Sequence, residues 1–329
     1  MGPVSIVVPP GLRRALEDEH AGRVWLASLD ELAARAVRRW GLVLGEPFQT
    51  GMAAWTAPAT TEAGLDVVLK LSFPHLEARD EAAALAAWRG AGAVELLGAA
   101  PEDQALLLRR MRPGTDLTDA GLPIADHLAV GAELLRRMAT VDVPSGAPFQ
   151  DLVSVASDRA DTAEQRIAET IPLAPYPVDL GLCRRAVDLL RSLPAGAERV
   201  GLAHGDLNPG NILRQQPAPS AEDGPVDGWV AIDPKPVHGD LAFDPWPLLT
   251  QVGGWVETTP TAADLADRTR LVADVTALDA GRMAAWCTAR SVESGLWAAS
   301  RGWWTGFRGA DGDFDRARAW AGAANHLGG

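Results

Sequence analysis

Three oxygen-bearing side chains stand out by type and spacing. In His204-Gly205-Asp206-Leu207-Asn208-Pro209-Gly210-Asn211, Asp206 and Asn211 are five positions apart, and Asp233 follows 27 positions after Asp206, closing the apolar run Trp229 to Ile232. Carboxylate and amide oxygens are the ligands that hard Mg²⁺ takes, a cation that keeps several waters and binds phosphates as well. A positioned carboxylate can also accept or orient a hydroxyl proton. Together the three residues suit phosphoryl transfer to an alcohol, with Asp206 handling the acceptor proton and Asn211 and Asp233 holding Mg²⁺. Such a transfer leaves little covalent work to the protein, so holding the alcohol in line and offsetting charge on the phosphate oxygens carry it. Asn, Pro and Gly alone would make an ordinary surface turn. The interval to Asn211, with an acid at a strand end downstream, is what points to chemistry.

The Asp-to-Asn interval is that of the catalytic loop of protein kinases, and upstream features resemble the same machinery. Lys70 ends Val67-Val68-Leu69-Lys70, like the strand lysine that touches the α and β phosphates of ATP. Glu81, on the next helix, is its natural ion-pair partner, and Glu77 is the rival. His204 is expected to fix backbone by hydrogen bonds. The phosphate loop is poorly formed: Gly45 and Gly51 bracket Gln49 and Thr50, with neither a GxGxxG nor a Walker A pattern. By position, Gly51 or Met52 is the candidate phosphate contact.

The elements that must position these residues follow from periodicity. Leu26, Leu29, Leu32, Ala33, Ala36, Val37 and Trp40 recur at helical spacing. From Gly41 to Leu71 glycines interleave with short apolar runs, which predicts strands of an antiparallel sheet. Glu77 to Leu97 predicts a helix stopped at Gly90 and Gly92, and Gln104 to Leu108 a strand. Pro113-Gly114, after Arg109-Arg110-Met111-Arg112, is a suitable connection between two lobes. Helices are predicted up to about Ala139, at about Gln150 to Thr170 and Asp179 to Ser192, and from Phe243 to Leu327 with breaks near Gly253, Pro260 and Gly309. Short strands at Asn211 to Leu213 and Trp229 to Ile232 flank a polar loop with Pro217, Pro219, Asp223 and Gly224.

At 329 residues the chain has material for two lobes or domains, and 47% hydrophobic with 22% charged residues is a globular balance. A net charge of −13 disfavours nucleic-acid and anionic-membrane partners and would attract a cationic small molecule. Cys183 and Cys287, distant and without a CxxC pair, indicate neither a disulfide framework nor a zinc site. No apolar stretch is long enough for a signal peptide or a membrane span, so a soluble cytoplasmic protein is expected.

Beyond the catalytic loop, Gly51-Met52-Ala53-Ala54-Trp55, Val68-Leu69-Lys70-Leu71, Glu81 through Trp88, Leu106 to Arg110, and Ile232-Asp233-Pro234-Lys235-Pro236 with Gly239-Asp240 resemble the aminoglycoside phosphotransferase family. The resemblance is narrower still to its streptomycin 6-phosphotransferase and hydroxyurea phosphotransferase branch, over about residues 30 to 250. It implies an α+β, protein-kinase-like two-lobed fold. An N-lobe over residues 1–110 would hold the nucleotide-binding antiparallel sheet and helix, and a mostly helical C-lobe over 111–329 the catalytic loop, metal site and acceptor-binding helices. ATP and Mg²⁺ are the implied cofactors, with the backbone of Leu108, Arg109 and Arg110 pairing to adenine. Many relatives have Leu-Glu-Arg there, so a side-chain contribution is not carried over. Asp233 is followed by Pro-Lys-Pro instead of Phe-Gly, and no activation segment follows, which argues against a switchable protein kinase. Lys235 is expected to neutralise neighbouring carboxylates. Streptomycin carries two guanidinium groups, which carboxylates would bind well, so Asp240, Asp244 and Trp246 are the acceptor candidates. Hydroxyurea or another small alcohol is the alternative acceptor, and a nucleotide-binding pseudokinase the alternative of another class.

Overall fold

The computed structural model describes residues 5–49, 51–143, 146–215, 228–253, 260–306 and 309–327, and of residues 76 and 77 the backbone only. Thr50, the Glu77 side chain and the polar loop around Pro217 to Gly224 lie outside the described residues. The chain divides into two compact units, Met1–Gly114 and Thr115–Gly329.

The first unit begins with α1 (Pro10–Leu16) and α2 (His20–Trp40). Trp25, Leu29, Leu32, Ala36 and Val37 form the buried stripe of α2, and Gly41, left-handed at φ 60°, ends it. Strands β1 (Leu42–Leu44), β2 (Ala54–Thr61) and β3 (Asp66–Ser72) follow. After α3 (Leu76–Arg79) and α4 (Glu81–Trp88) come β4 (Leu96–Ala100) and β5 (Ala105–Arg109). All five strands join one antiparallel sheet in the order β1-β2-β3-β5-β4. Alternation along β2 sends Trp55, Ala57 and Ala59 inward, where they meet Leu69, Leu71, Leu107, Leu29 and Ala33. The helix predicted to stop at Gly90 and Gly92 ends at Trp88, and the remainder of that stretch leads into β4, which was not predicted. Leu96-Leu97-Gly98-Ala99-Ala100 has no β-branched residue to announce a strand.

The division into units falls within β6 (Pro113–Asp116). The second unit contains α5 (Ile124–Met138), β7 (Gln150–Asp151), α6 (Leu152–Thr170), α7 (Leu180–Ser192), β8 (Val200–Ala203), β9 (Ile212–Gln215), β10 (Trp229–Ala231) and β11 (Val237–Asp240). Helices α8 (Trp246–Gln251), α9 (Ala262–Thr276), α10 (Ala280–Ser300) and α11 (Ala310–Leu327) complete it. Asp151, Asp179, Thr261 and Asp279 cap α6, α7, α9 and α10, each side chain accepting from an amide in the first turn. Helix α10 buries residues on every side, from Met283, Trp286 and Cys287 to Leu296, which marks it as the centre of the helical layer. Cys183 and Cys287 are buried and unbonded.

Two antiparallel strand pairs position the site. β8 pairs with β11, Ala203 opposite Val237, and β9 pairs with β10, Ile212 opposite Ala231. The connection from β8 to β9 and the connection from β10 to β11 therefore run side by side between the same two pairs. Strands β8 and β11 were not predicted, because four residues such as Val-His-Gly-Asp are too few and too mixed to show a period.

Candidate active site

The first of these connections carries Asp206 and Asn211, the second Asp233 and Lys235. Backbone hydrogen bonds lace them together: Ile232 N–H donates to Asn211 O at 2.9 Å, and Lys235 N–H to His204 O at 2.8 Å. Asp233 occupies the left-handed region at φ 57°, which Asp tolerates better than most residues and which turns the chain sharply after β10.

His204 is sealed inside this lacing. Its Nδ1 accepts from the Asp206 amide at 3.3 Å and its Nε2 lies 3.1 Å from Ile232 O, an arrangement that selects the neutral Nε2–H tautomer. Burial pushes its pKa down to about 4. With Nδ1 engaged, the ring holds backbone and is not placed to take a substrate proton.

Both oxygens of the Asp206 carboxylate have a donor, Lys235 Nζ on Oδ2 and Asn208 Nδ2 on Oδ1 at 3.2 Å. Lys235 Nζ also lies 3.8 Å from Asp233 Oδ2, so one ammonium stands between the two acids. The Asn211 amide group donates to Asp206 O at 2.9 Å, which orients Oδ1 as the acceptor face of that side chain. Asn211 and Asp233 thus offer oxygen donors alone, a set that suits Mg²⁺. Among the described residues no group of three or more His, Cys, Asp or Glu could hold a metal unaided.

In the first unit, Lys70 lies on β3 between Thr56 of β2 and Leu106 of β5. Its ammonium reaches both oxygens of Glu81, at 2.7 and 2.8 Å, and both residues are buried. Glu81 opens α4, where the helix dipole also favours a carboxylate. Gly51 sits at φ 111° ahead of β2, a conformation that needs glycine.

A family model described as aminoglycoside/hydroxyurea antibiotic resistance kinase matches residues 39–302. The chain belongs to that family. It is a kinase, as are its relatives. Streptomycin 6-kinase of Streptomyces griseus is 31% identical over 300 residues, 89% of this chain and 91% of the relative. Hydroxyurea phosphotransferase of Kitasatospora aureofaciens is 33% identical over 287 residues, 86% and 76% of the two chains. A crystal structure of a choline/ethanolamine kinase family protein from Mesorhizobium loti covers 90% of this chain and 98% of that one with a TM-score of 0.60 at 16% identity. The two-lobed, protein-kinase-like α+β fold expected from the sequence is the fold of the kinase.

The three residues expected to meet the acceptor contact groups of the protein itself. Asp240 is buried, and its Oδ2 accepts from Arg282 Nε and Trp286 Nε1, both at 2.6 Å. Asp244 is also buried and accepts from the amides of His204 at 2.6 Å and Gly205 at 2.7 Å. Burial pushes its pKa up to about 6, against those two hydrogen bonds. Trp246 donates Nε1–H to Ser291, and its ring stacks on Arg290, whose guanidinium carbon is 4.3 Å from it and 4.1 Å from the Phe243 ring. The guanidiniums these residues meet are the protein's own. Arg290 also donates to Phe243 O at 3.1 Å and Gly205 O at 3.4 Å, so helix α10 braces the connection that carries Asp206. Sequence reasoning missed Arg282, Arg290 and Asn208; the first two lie 42 and 85 residues from their partners, beyond any local signal.

At the expected adenine-pairing stretch, Leu108 is buried and opposite Val68, while the Arg109 N–H is spent on Glu95 O at 3.0 Å. The Arg109 and Arg110 side chains turn to Glu95, at 2.5 Å, and Asp66, at 3.8 Å.

Proposed function

We propose that the kinase transfers the γ-phosphate of ATP to a hydroxyl of an aminoglycoside, with streptomycin, at its 6 position, as the acceptor. The observation that carries the transfer is the meeting of Asp206, Asn211, Asp233 and Lys235 on two laced connections. In this reading Asp206 takes the proton of the acceptor hydroxyl. Asn211, through Oδ1, and Asp233 hold Mg²⁺, and Lys70, fixed by Glu81, serves the phosphates together with Gly51. The backbone of Leu108 to Arg110, less the Arg109 N–H, serves the adenine. Bound Mg²⁺ offsets charge on the phosphate oxygens. Residues 1–110 then act as the nucleotide lobe and 111–329 as the catalytic and acceptor lobe, in a cytoplasm that supplies ATP.

Streptomycin is favoured because the match to its kinase spans nearly all of both chains, and because a protein of net charge −13 draws a guanidinium-bearing ligand. The 33% identity to hydroxyurea phosphotransferase supports a second acceptor reading. Coupled ADP release across streptomycin, other aminoglycosides and hydroxyurea separates them. Stimulation by streptomycin alone supports the first reading, and stimulation by hydroxyurea alone replaces it with the second.

A further inference from the structure

We propose that Lys235 is a catalytic residue whose ammonium donates to the transferred phosphoryl group from its place between Asp206 and Asp233. This inference rests on the phosphotransferase reading above.

Composition is the first argument. The chain has thirty basic residues, and only Lys70 and Lys235 are lysines. Arginine does the structural work elsewhere, as at Asp240 and Trp246. A guanidinium is a broad planar fork, whereas an ammonium is a compact charge with three donors on a flexible stem. The two lysines both stand with the ammonium against carboxylate oxygens, Lys70 on Glu81 and Lys235 on Asp206.

Placement is the second argument. Leu207-Asn208-Pro209-Gly210, the stretch between the proton acceptor and Asn211, contains no cation. A side-chain cation beside Asp206 therefore comes from another segment, as Lys235. Its backbone is pinned by the hydrogen bond to His204 O and by prolines on both sides, which restrict φ before and after it. Its side chain remains about one-third exposed, at 33% against 9% for Lys70.

The chemistry closes on these groups. The acceptor oxygen forms a bond to the γ-phosphorus as the bond to the β-phosphate oxygen breaks, and the bonding pair leaves on ADP. The hydroxyl proton passes to Asp206. Lys235 keeps its protons and donates to an oxygen of the phosphoryl group in transit, where fixed charge acts most strongly. A lysine that only neutralised Asp206 and Asp233 would have the opposite effect on binding, since its removal would leave the acids better able to hold Mg²⁺.

The test is calorimetric titration of the full chain with Mg²⁺-ATP and Mg²⁺-ADP, for wild type, Lys235→Met and Lys235→Arg, each with a melting curve. The expected result is that Lys235→Met loses about tenfold or more in ATP affinity while ADP affinity stays within about twofold, as loss of one charged contact to the γ-phosphate requires. Its turnover falls about a hundredfold or more, and Lys235→Arg recovers ATP affinity without recovering turnover. Parallel changes for ATP and ADP, or tighter binding of both, overturn the proposal. If Lys235→Met does not fold, Lys235→Gln carries the comparison; if neither folds, the residue belongs to the fold and the proposal falls. Wild type that binds neither nucleotide overturns the phosphotransferase reading itself, and the proposal with it.

Discussion

A β-carbon on Gly205 would lie 2.0 Å from the carbonyl oxygen of Lys235, and Gly205 itself sits at φ 83°. The two connections of the site are laced so closely that only glycine fits at their crossing. Gly205→Ala is expected to cost about 3 kcal/mol or more, from the left-handed conformation and the clash together. Thermal unfolding measures it; a variant melting with wild type would show that the connections do not meet in this way.

Asp206 is held by a donor on each carboxylate oxygen. Asp206→Asn keeps the shape and, in the proposed reading, loses the proton acceptor, so turnover should fall by about a thousandfold or more while Mg²⁺-ATP affinity stays within about threefold. Asn208→Ala should lower turnover by only about tenfold, with a loss of about 1 kcal/mol, because Asn208 also caps the short turn by accepting from the Gly210 amide. Single-turnover kinetics paired with nucleotide titration would expose equal effects of the two variants, which would contradict this division.

Lys70 and Glu81 form a buried pair. Lys70→Met alone strands a carboxylate and should destabilise the fold by about 3 to 5 kcal/mol, whereas the double variant Lys70→Met/Glu81→Leu should recover most of that stability. Activity should not return with it. Recovery of turnover in the double variant would remove Lys70 from the phosphate site.

His204 and Asp244 respond to pH in opposite directions. The folded pKa of His204 is depressed from 6.5 to about 4, so its contribution is complete above pH 6.5 and is lost as pH falls towards 4, by about 3 kcal/mol. The folded pKa of Asp244 is raised from 3.8 to about 6, so the fold gains stability from this group as pH falls through the same window. Asp244→Asn removes the offset. Its melting temperature should fall more steeply than that of wild type between pH 6 and pH 4, and equal slopes would argue against this assignment.

Asp240 supports the fold through Arg282 and Trp286. Asp240→Asn should therefore lower the melting temperature and leave the acceptor KM within about twofold, because one partner of a buried charged pair is lost. A large rise in KM with unchanged melting would restore the acceptor role that its sequence position suggested.

The difference between what was and was not legible is physical. The α2 stripe, the β2–β3 hairpin and the helices α6 and α7 were readable because each is long enough to repeat a period. Strands β4, β8 and β11 are four or five residues long and owe their pairing to partners. Pairing Lys70 with Glu81 followed from the likeness to the kinase strand lysine and a helix after the strand, which left Glu77 as the rival until the structure showed the Glu81 contact. Reading Asp240, Asp244 and Trp246 as acceptor groups followed from their nearness in sequence to the catalytic segment, which says nothing about whether a side chain faces solvent or core.

By itself the sequence determined the groups of the site and their local spacing. Asp206 and Asn211 lie within one tight turn, where backbone geometry leaves little choice about how five residues connect. The tertiary structure alone decided that Lys235 stands between Asp206 and Asp233, that Asp244 holds the amides of His204 and Gly205, and that Arg282 meets Asp240 and Arg290 the ring of Trp246 and Gly205 O. Apart from Lys235 with Asp233, two positions away, these contacts join residues 29 to 85 positions apart. They depend on which strands pair and which helix faces are buried together, and no local propensity carries that information.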